Sequence, residues 1–299
     1  MERLLRREEE MSTDILSILQ SRAPTFSKGQ RLIARYITES YDKAAFMTAN
    51  RLGRTVGVSE STVVRFAVDL GFDGYPSMQK ALQEMVRNRL TSVQRIEVAN
   101  DRLGGHDVVS MVIQSDMEKL RQTEEKLSRE AFHAAAQAIL GAKRVYIVGA
   151  RSTAMLAGFL GYYLNYMLNN VHVVTASGTG EMFERIVGIR PEDVLIAFSF
   201  PRYSASTAKA ADYCRSTGAT VIAITDNPDS PLAQCADHLI CAKSDMVSLV
   251  DSLVAPLSVV NALIVDIASR REKELHQTLD ALEHIWDEYH VYEKQVENK

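Results

Sequence analysis

Two short stretches of this chain gather hydroxyl and guanidinium groups at spacings that could hold an anion. The first is Arg144 to Ala154, RVYIVGARSTA. Val145 to Val148 read as a buried strand, Gly149 opens a turn, Arg151 stands inside it, and a helix begins at Ser152 or Thr153. A parallel strand that turns into a helix aims free backbone N–H groups and the positive end of the helix dipole at whatever sits above the strand's carboxyl end. Arg151 adds a guanidinium fork suited to phosphate or carboxylate. The second stretch, Ser199-Phe200-Pro201-Arg202-Tyr203-Ser204-Ala205-Ser206-Thr207, follows another apolar run and opens another helix. Ser199 and Ser204 can donate to an oxyanion, and Arg202, beside Tyr203, brings a second guanidinium. Two such turns on the carboxyl edge of one parallel sheet predict a ligand site made by Gly149, Arg151, Ser152, Thr153, Ser199, Arg202, Tyr203 and Ser204. A phosphate, a carboxylate or an acidic sugar is the natural guest. A plainer reading stands beside this one: Gly149 only makes the turn and Ser152 only caps the helix.

A third group lies near the N-terminus. Thr48 caps a short helix with Leu52 and Val56 inward, Gly57 permits a tight turn, and Ser59 caps a helix that stops at Gly71. Val63, Phe66, Ala67 and Leu70 fall at i, i+3, i+4 and i+7, a core stripe that leaves Glu60, Ser61, Thr62, Val64, Arg65 and Val68 facing out. Small hydroxyl residues and an arginine on the outer N-terminal half of a second helix can enter a major groove and reach base edges. The candidate DNA-contacting residues are therefore Thr48, Arg51, Ser59, Glu60, Ser61, Thr62 and Arg65, with Arg31, Arg35, Arg51 and Arg54 facing phosphates. Small helical domains also contain such turns by chance, so charge matters. Residues 1–95 hold 15 Lys and Arg against 11 Asp and Glu, a net +4 inside a chain whose formal charge is −4; residues 96–299 hold 19 against 27, a net −8. The part that could meet a polyanion is the basic one.

The elements that must position these groups divide the chain. The 299 residues are enough for two domains. The first ten residues, MERLLRREEE, are expected to fray. Helices over about 14–20 and 28–39, the latter behind a Ser27–Gln30 capping box, precede the pair just described, and a fifth begins at Pro76. Residues 11–90 form this all-α unit, and 91–115, containing Gly104-Gly105, read as a linker. From 116 the chain is helical, and then strands near 144–148, 171–174, 193–198, 220–224 and 238–241 alternate with helices. That pattern predicts an α/β fold, a five-stranded parallel αβα sandwich, with a long helical region from about Asp251 to close it. Cys214, Cys235 and Cys241 have no metal-ligand or disulfide spacing. No signal peptide and no stretch of membrane-spanning length is evident, so a cytoplasmic protein with no membrane partner is expected.

With both halves in view, the chain resembles the RpiR family of bacterial transcriptional regulators. VGVSESTVVRFAVDLGFDGY over 56–75, followed by GARSTA and SFPRYS, carries the resemblance. It implies a winged or bundle-like helix-turn-helix joined to a sugar isomerase (SIS) domain that senses a phosphosugar. The usual SIS turns read GxGxS and SxSGxT. Here Thr153 takes the first serine's place, Arg151 replaces the second glycine, Pro201 the middle serine, Arg202 the glycine and Ser204 the threonine.

The expected protein is thus a regulator, a repressor, that binds operator DNA and senses a small anionic sugar, without cofactor, metal or catalysis. The alternatives are a sugar-phosphate isomerase with a helical appendage, told apart by turnover, and a helical protein-interaction module on a sugar-binding domain, told apart by the lack of salt-dependent DNA binding. An isomerase needs an acid/base pair. Glu181, Glu184 and His172 are read instead as solvated or structural, His276, His284 and His290 lack metal spacing, and Asp226 sits in a turn. Ser177-Gly178-Thr179-Gly180 reads as a loop or a lid. Leu275, Leu279, Leu282, Trp286 and Tyr289 follow a 4, 3, 4, 3 spacing, the seam of a helix that packs on another helix. A homodimer or homotetramer is expected from it, against packing on its own sheet.

Overall fold

The computed structural model describes residues 15–89, 96, 107–175, 178–245 and 250–293, and the chain divides into two compact units, Met1–His106 and Asp107–Lys299. The described residues of the first unit form α1 (Ile15–Arg22), α2 (Lys28–Glu39), α3 (Tyr41–Ala44), α4 (Ala49–Val56), α5 (Glu60–Asp69) and α6 (Tyr75–Arg89). The four-residue α3 was not expected. No strand occurs among the described residues of this unit. Ser27 and Gln30 form the capping box at α2, with the Ser27 N–H donating to Gln30 Oε1 at 2.9 Å. The inward faces of the helices meet in a core of Ile33, Ile37, Leu52, Val63, Phe66, Met78 and Leu82, all fully buried.

The second unit starts with α7 (Val108–Lys126), capped by the Asp107 carboxylate, which accepts from the N–H groups of Val109 and Ser110. Residues 108–115, expected as linker, are therefore helical: an N-cap aspartate and a run of valines begin the helix eight residues before the boundary drawn from the sequence. The rest of the expected linker, Ile96 apart, lies outside the described residues up to 106, as do the first ten residues. Next come α8 (Arg129–Gly141), β1 (Val145–Gly149), α9 (Thr153–Leu164), β2 (Val171–Val174), α10 (Thr179–Ile186), β3 (Val194–Phe198), α11 (Ala205–Ser216), β4 (Thr220–Thr225), β5 (His238–Cys241), α12 (Val254–Arg270) and α13 (Glu272–Glu288). The C-terminal helical region is broken at Arg271, which leaves the helical basin at φ −120° and ψ 31°.

All strand pairs are parallel, in the order β2-β1-β3-β4-β5. Successive side chains of a strand face opposite sides. Val145, Ile147, Ile196, Phe198, Ile222 and Ile224 accordingly pack with α8, α9 and α12 on one face, while Tyr146, Val148, Leu195, Ala197 and Val221 pack with α10 and α11 on the other. Burial on both faces explains why each strand reads as a continuous apolar run. At the amino edge of the sheet, Arg144 forks onto the buried Asp193 at 3.1 and 2.6 Å and reaches the Gly188 carbonyl at 2.9 Å. Asp193 also accepts the Arg190 N–H at 2.8 Å, so this buried carboxylate is fully engaged and locks the starts of β1 and β3 together.

Candidate functional site

The strand order reverses between β1 and β3, because the chain leaves β1 toward β2 on one side and returns to β3 on the other. In open α/β sheets, a crevice opens at the carboxyl ends of the two strands at such a point. The two hydroxyl-rich turns predicted to hold a ligand are the ones that follow β1 and β3. Gly149 pairs with Phe198, and Thr153 Oγ1 lies 3.4 Å from the Phe198 carbonyl oxygen, which brings the turns into direct contact.

Within the β1 turn, the residues have different jobs from those expected. Thr153 is buried; its hydroxyl accepts the Ala150 N–H at 2.9 Å and donates to the Ala150 carbonyl at 2.8 Å, so it holds the turn instead of facing a ligand. The first N–H groups of α9 are also engaged: Thr153, Ala154 and Met155 donate to the carbonyls of Ala150, Arg151 and Ser152. This 3₁₀-like start removes the backbone cradle that the sequence pattern predicts here. Ser152 stands at the helix start with no side-chain cap bond, and both it and Arg151 are exposed. Arg151 has φ 59°, in the left-handed region. Gly149 is required for another reason, since a Cβ there would lie 2.4 Å from the Thr153 carbonyl oxygen.

The β3 turn is fixed by side-chain hydrogen bonds. Ser204 caps α11 by accepting the Thr207 N–H at 3.2 Å, and its Oγ lies 2.9 Å from Ser206 Oγ. Ser199 is buried and its Oγ accepts the Ser204 N–H at 3.1 Å, so it shapes the turn from below. Arg202 is exposed. Tyr203 donates its hydroxyl to Asp226 Oδ1 at 2.8 Å, and the Asn227 amide donates to both the Tyr203 hydroxyl, at 3.0 Å, and Asp226 Oδ2, at 3.1 Å. Asp226, read from the sequence as a turn residue, is thus a buried anchor at the end of β4 that fixes the β3 turn. Sequence reasoning missed this because the two residues are 23 positions apart.

Of the residues weighed for acid/base chemistry, Glu181 is engaged by Arg185 at 3.0 Å and His172 is exposed on the edge strand, stacked on Tyr146. Thr179 and Gly180 begin α10, so that half of the supposed lid is regular helix; Ser177 lies outside the described residues. Burial pushes the Cys214 thiol up to about 12, which leaves it unreactive.

In the first unit, α4 and α5 form the helix-turn-helix. Thr48 Oγ1 accepts the Arg51 N–H at 3.2 Å, Gly57 takes φ 78° at the end of α4, and the Val58 N–H donates back to the Gly53 carbonyl at 2.8 Å. Ser59 caps α5 through the Thr62 N–H at 3.2 Å, with Ser61 and Thr62 hydroxyls 2.9 and 2.8 Å from its own. Val63, Phe66 and Ala67 are buried as predicted, while Ser59, Ser61, Val64, Arg65 and Val68 are exposed and Thr62 is half-buried. Glu60 accepts from Asn50 at 3.0 Å, so its carboxylate braces α5 against α4. The end of α5 is held from α2, where Gln30 donates to Asp69 at 2.6 Å. Arg35 is paired with Glu39 at 2.8 Å, whereas Arg51 and Arg54 are exposed on α4.

The helix-turn-helix domain of the rpiR family matches residues 13–89, and the SIS domain matches residues 138–266. The sugar isomerase domain of an RpiR transcription factor from Sphaerobacter thermophilus is 32% identical and superposes with a TM-score of 0.57, over 60% of this chain and 99% of that one. The chain belongs to the RpiR family of transcriptional regulators. This RpiR-family chain is also 22% identical to the HTH-type transcriptional regulator HexR of Pseudomonas aeruginosa, over 86% of this chain and 90% of that protein. The NanR protein of Vibrio vulnificus, solved in complex with ManNAc-6P, shares the fold at a TM-score of 0.56 and 20% identity, over 90% of this chain and 98% of that one. Among the described residues, no helix is long and apolar enough to cross a membrane, and no cluster of metal-ligating side chains is found.

Proposed function

We propose that this regulator is a repressor that binds operator DNA through α4 and α5 and senses a phosphosugar or sugar acid in the crevice between β1 and β3, without turning it over. The observation that carries the reading is the meeting of the β1 and β3 turns at the switch point, through Thr153 and the Phe198 carbonyl, in a chain whose first unit is an RpiR helix-turn-helix. A phosphosugar occupies the NanR complex, whose likeness here is one of fold. Ligand binding favours one arrangement of paired DNA-binding units, and operator affinity changes by the differential affinity of the ligand for the two states, typically about 1–3 kcal/mol. The test is a thermal-shift screen of sugar phosphates and sugar acids, since a ligand of the native state raises stability by mass action. Arg202→Ala is expected to abolish both the shift and the effector response while DNA binding persists. Ser204→Ala should do the same and also lower stability by about 1 kcal/mol, because it removes a helix cap. A hit returned chemically changed would make the protein an isomerase, and variants that respond like wild type would move the anion site elsewhere.

A homodimer or homotetramer belongs to the same reading, because one helix-turn-helix makes too few contacts for a specific site. No residue of α13 is buried in its own subunit, although Leu275 packs onto the sheet-face core; Leu279, Leu282 and Trp286 are half-buried, and Ile285 and Tyr289 are exposed. Deleting residues 277–299 keeps Leu275 and is expected to lower the mass seen by light scattering together with operator affinity. A truncated protein with its full assembly and affinity would limit the stripe to its own subunit.

A further inference from the structure

The outward face of α5 carries polar groups that are mostly committed inside the unit. The Ser61 hydroxyl lies 2.9 Å from Ser59 Oγ, the Glu60 carboxylate accepts from Asn50 at 3.0 Å, and Thr62 turns toward α2, where a Cβ on Gly29 would lie 3.6 Å from its methyl carbon. What stands outward beside Ser61 is Arg65 with Val64 and Val68. The two valines are 38% and 53% exposed. Large apolar side chains exposed among the described residues of the first unit are Leu32, Val64, Val68 and Ile96, so two of them share this short helix. They are one turn apart on one face, with Cβ atoms about 5–6 Å from each other. A single exposed hydrophobe is ordinary, but here a contiguous apolar strip runs beside an arginine.

Neither valine is there for the fold. Both lie outside the core stripe of Val63, Phe66 and Ala67, and a β-branched side chain loses rotamer freedom in a helix, so alanine at either position is the better helix former. Their place is the outward side of the second helix of a helix-turn-helix, the side that meets base edges in a major groove. Residues 1–95 hold 15 Lys and Arg against 11 Asp and Glu, a net +4, which favours a polyanion over a second copy of the same basic surface opposite this face. Among the four bases, the major-groove edges offer hydrogen-bond donors and acceptors and one apolar handle, the C5-methyl group of thymine.

We propose that Val64 and Val68 read thymine, by packing on C5-methyl groups in the major groove beside the base edge reached by Arg65. The inference rests on the reading of α5 as the helix that enters the groove. It adds a requirement on the operator, a thymine at a fixed place in each bound site, that hydrogen bonding from Arg65 and Ser61 does not impose.

The test selects an operator from random duplex DNA with the full-length protein, then replaces each of its thymines singly by deoxyuridine. Uracil keeps the hydrogen-bonding groups of the major-groove edge and lacks only the methyl. For wild type, at least one replacement should weaken binding about fourfold, equivalent to about 0.8 kcal/mol for one buried methyl group. Val64→Ala or Val68→Ala should weaken the thymine operator by a similar factor and bind that uracil operator no worse than wild type does, the coupling expected of a direct contact. Both variants should melt as wild type does and keep its salt dependence, since no phosphate contact is lost. Replacements that are neutral throughout, or that cost wild type and both valine variants the same factor, would overturn the inference while specific binding left the role of α5 standing. Valine variants that lower the mass seen by light scattering and leave DNA affinity unchanged would assign the strip to a second copy and overturn it as well. If no sequence is enriched and binding to random DNA shows no salt dependence, the inference falls together with the DNA-binding reading.

Discussion

Gly149→Ala, a change of one methyl group, is expected to lower the melting temperature of the second unit by about 6–12 °C. The new Cβ would sit 2.4 Å from the Thr153 carbonyl oxygen, 2.7 Å from its carbon and 3.0 Å from the Ala154 nitrogen. All three are backbone atoms of the first turn of α9, so no side chain can rotate away. Relief requires α9 to move off β1, against a core in which Leu156, Leu160 and Leu164 are buried beside Ile147. Overpacking of a well-filled core costs about 1–3 kcal/mol, and a clash with backbone belongs at the upper end. At about 2–4 °C per kcal/mol for a unit of this size, the shift follows. The same movement would part the Thr153 hydroxyl from Phe198, so the effector-induced thermal shift should vanish with it. A calorimetric melt within about 2 °C of wild type, equivalent to about 0.5–1 kcal/mol, would show that α9 slides freely and that Gly149 is only a turn residue. Two positions on, Arg151→Gly should have the opposite effect on stability, because glycine adopts the φ of 59° freely, which separates the close approach of backbone from the positive φ.

What could be read from the sequence divides along the same physical line. The five strands lie within a residue or two of their expected places, because a parallel strand buried on both faces is an unbroken apolar run whatever its neighbours are. The caps at Ser27, Thr48 and Ser59 are local, and each was legible from a hydroxyl ahead of a periodic segment. The order β2-β1-β3-β4-β5 was not legible, since parallel pairing joins segments far apart in the chain. Nor was the division of labour among hydroxyls. Ser152 and Thr153 are adjacent and chemically alike, and only the turn's geometry decides that Thr153 points in and Ser152 does not cap. The buried anchor at Asp226 and the Gln30–Asp69 bond escaped for want of any local pattern linking them to their partners. Helix α10 was hidden by its Gly178-Thr179-Gly180 start, which carries turn chemistry, although Met182 and Ile186 give it a buried face of helical spacing.

The double variant Arg65→Ala with Ser61→Ala is expected to weaken binding to an operator selected from random sequence by about 1–3 kcal/mol for each base edge it no longer reaches, that is, about five- to 150-fold per base. Both side chains are on the exposed face of α5, one turn apart, and the bond from Arg65 Nε to the Ser61 backbone carbonyl, at 3.3 Å, is long. Removing it should cost the helix little, and the core stripe of Val63, Phe66 and Ala67 is untouched, so the unit should melt as wild type does. Arg51→Ala makes the useful contrast. Its backbone N–H serves the Thr48 cap, which the substitution keeps, and its side chain is exposed on α4, the helix expected to cross the phosphate backbone. Removing a guanidinium from a phosphate weakens selected and random DNA alike and lowers the slope of log affinity against log salt by about one. Removing one from a base edge weakens the selected site alone and leaves that slope nearly unchanged. Fluorescence titrations of both variants on both DNAs at several salt concentrations therefore distinguish the helix that reads from the helix that positions. Loss of selectivity from Arg51→Ala, with full selectivity in the α5 variant, would exchange those roles and place α4 in the groove.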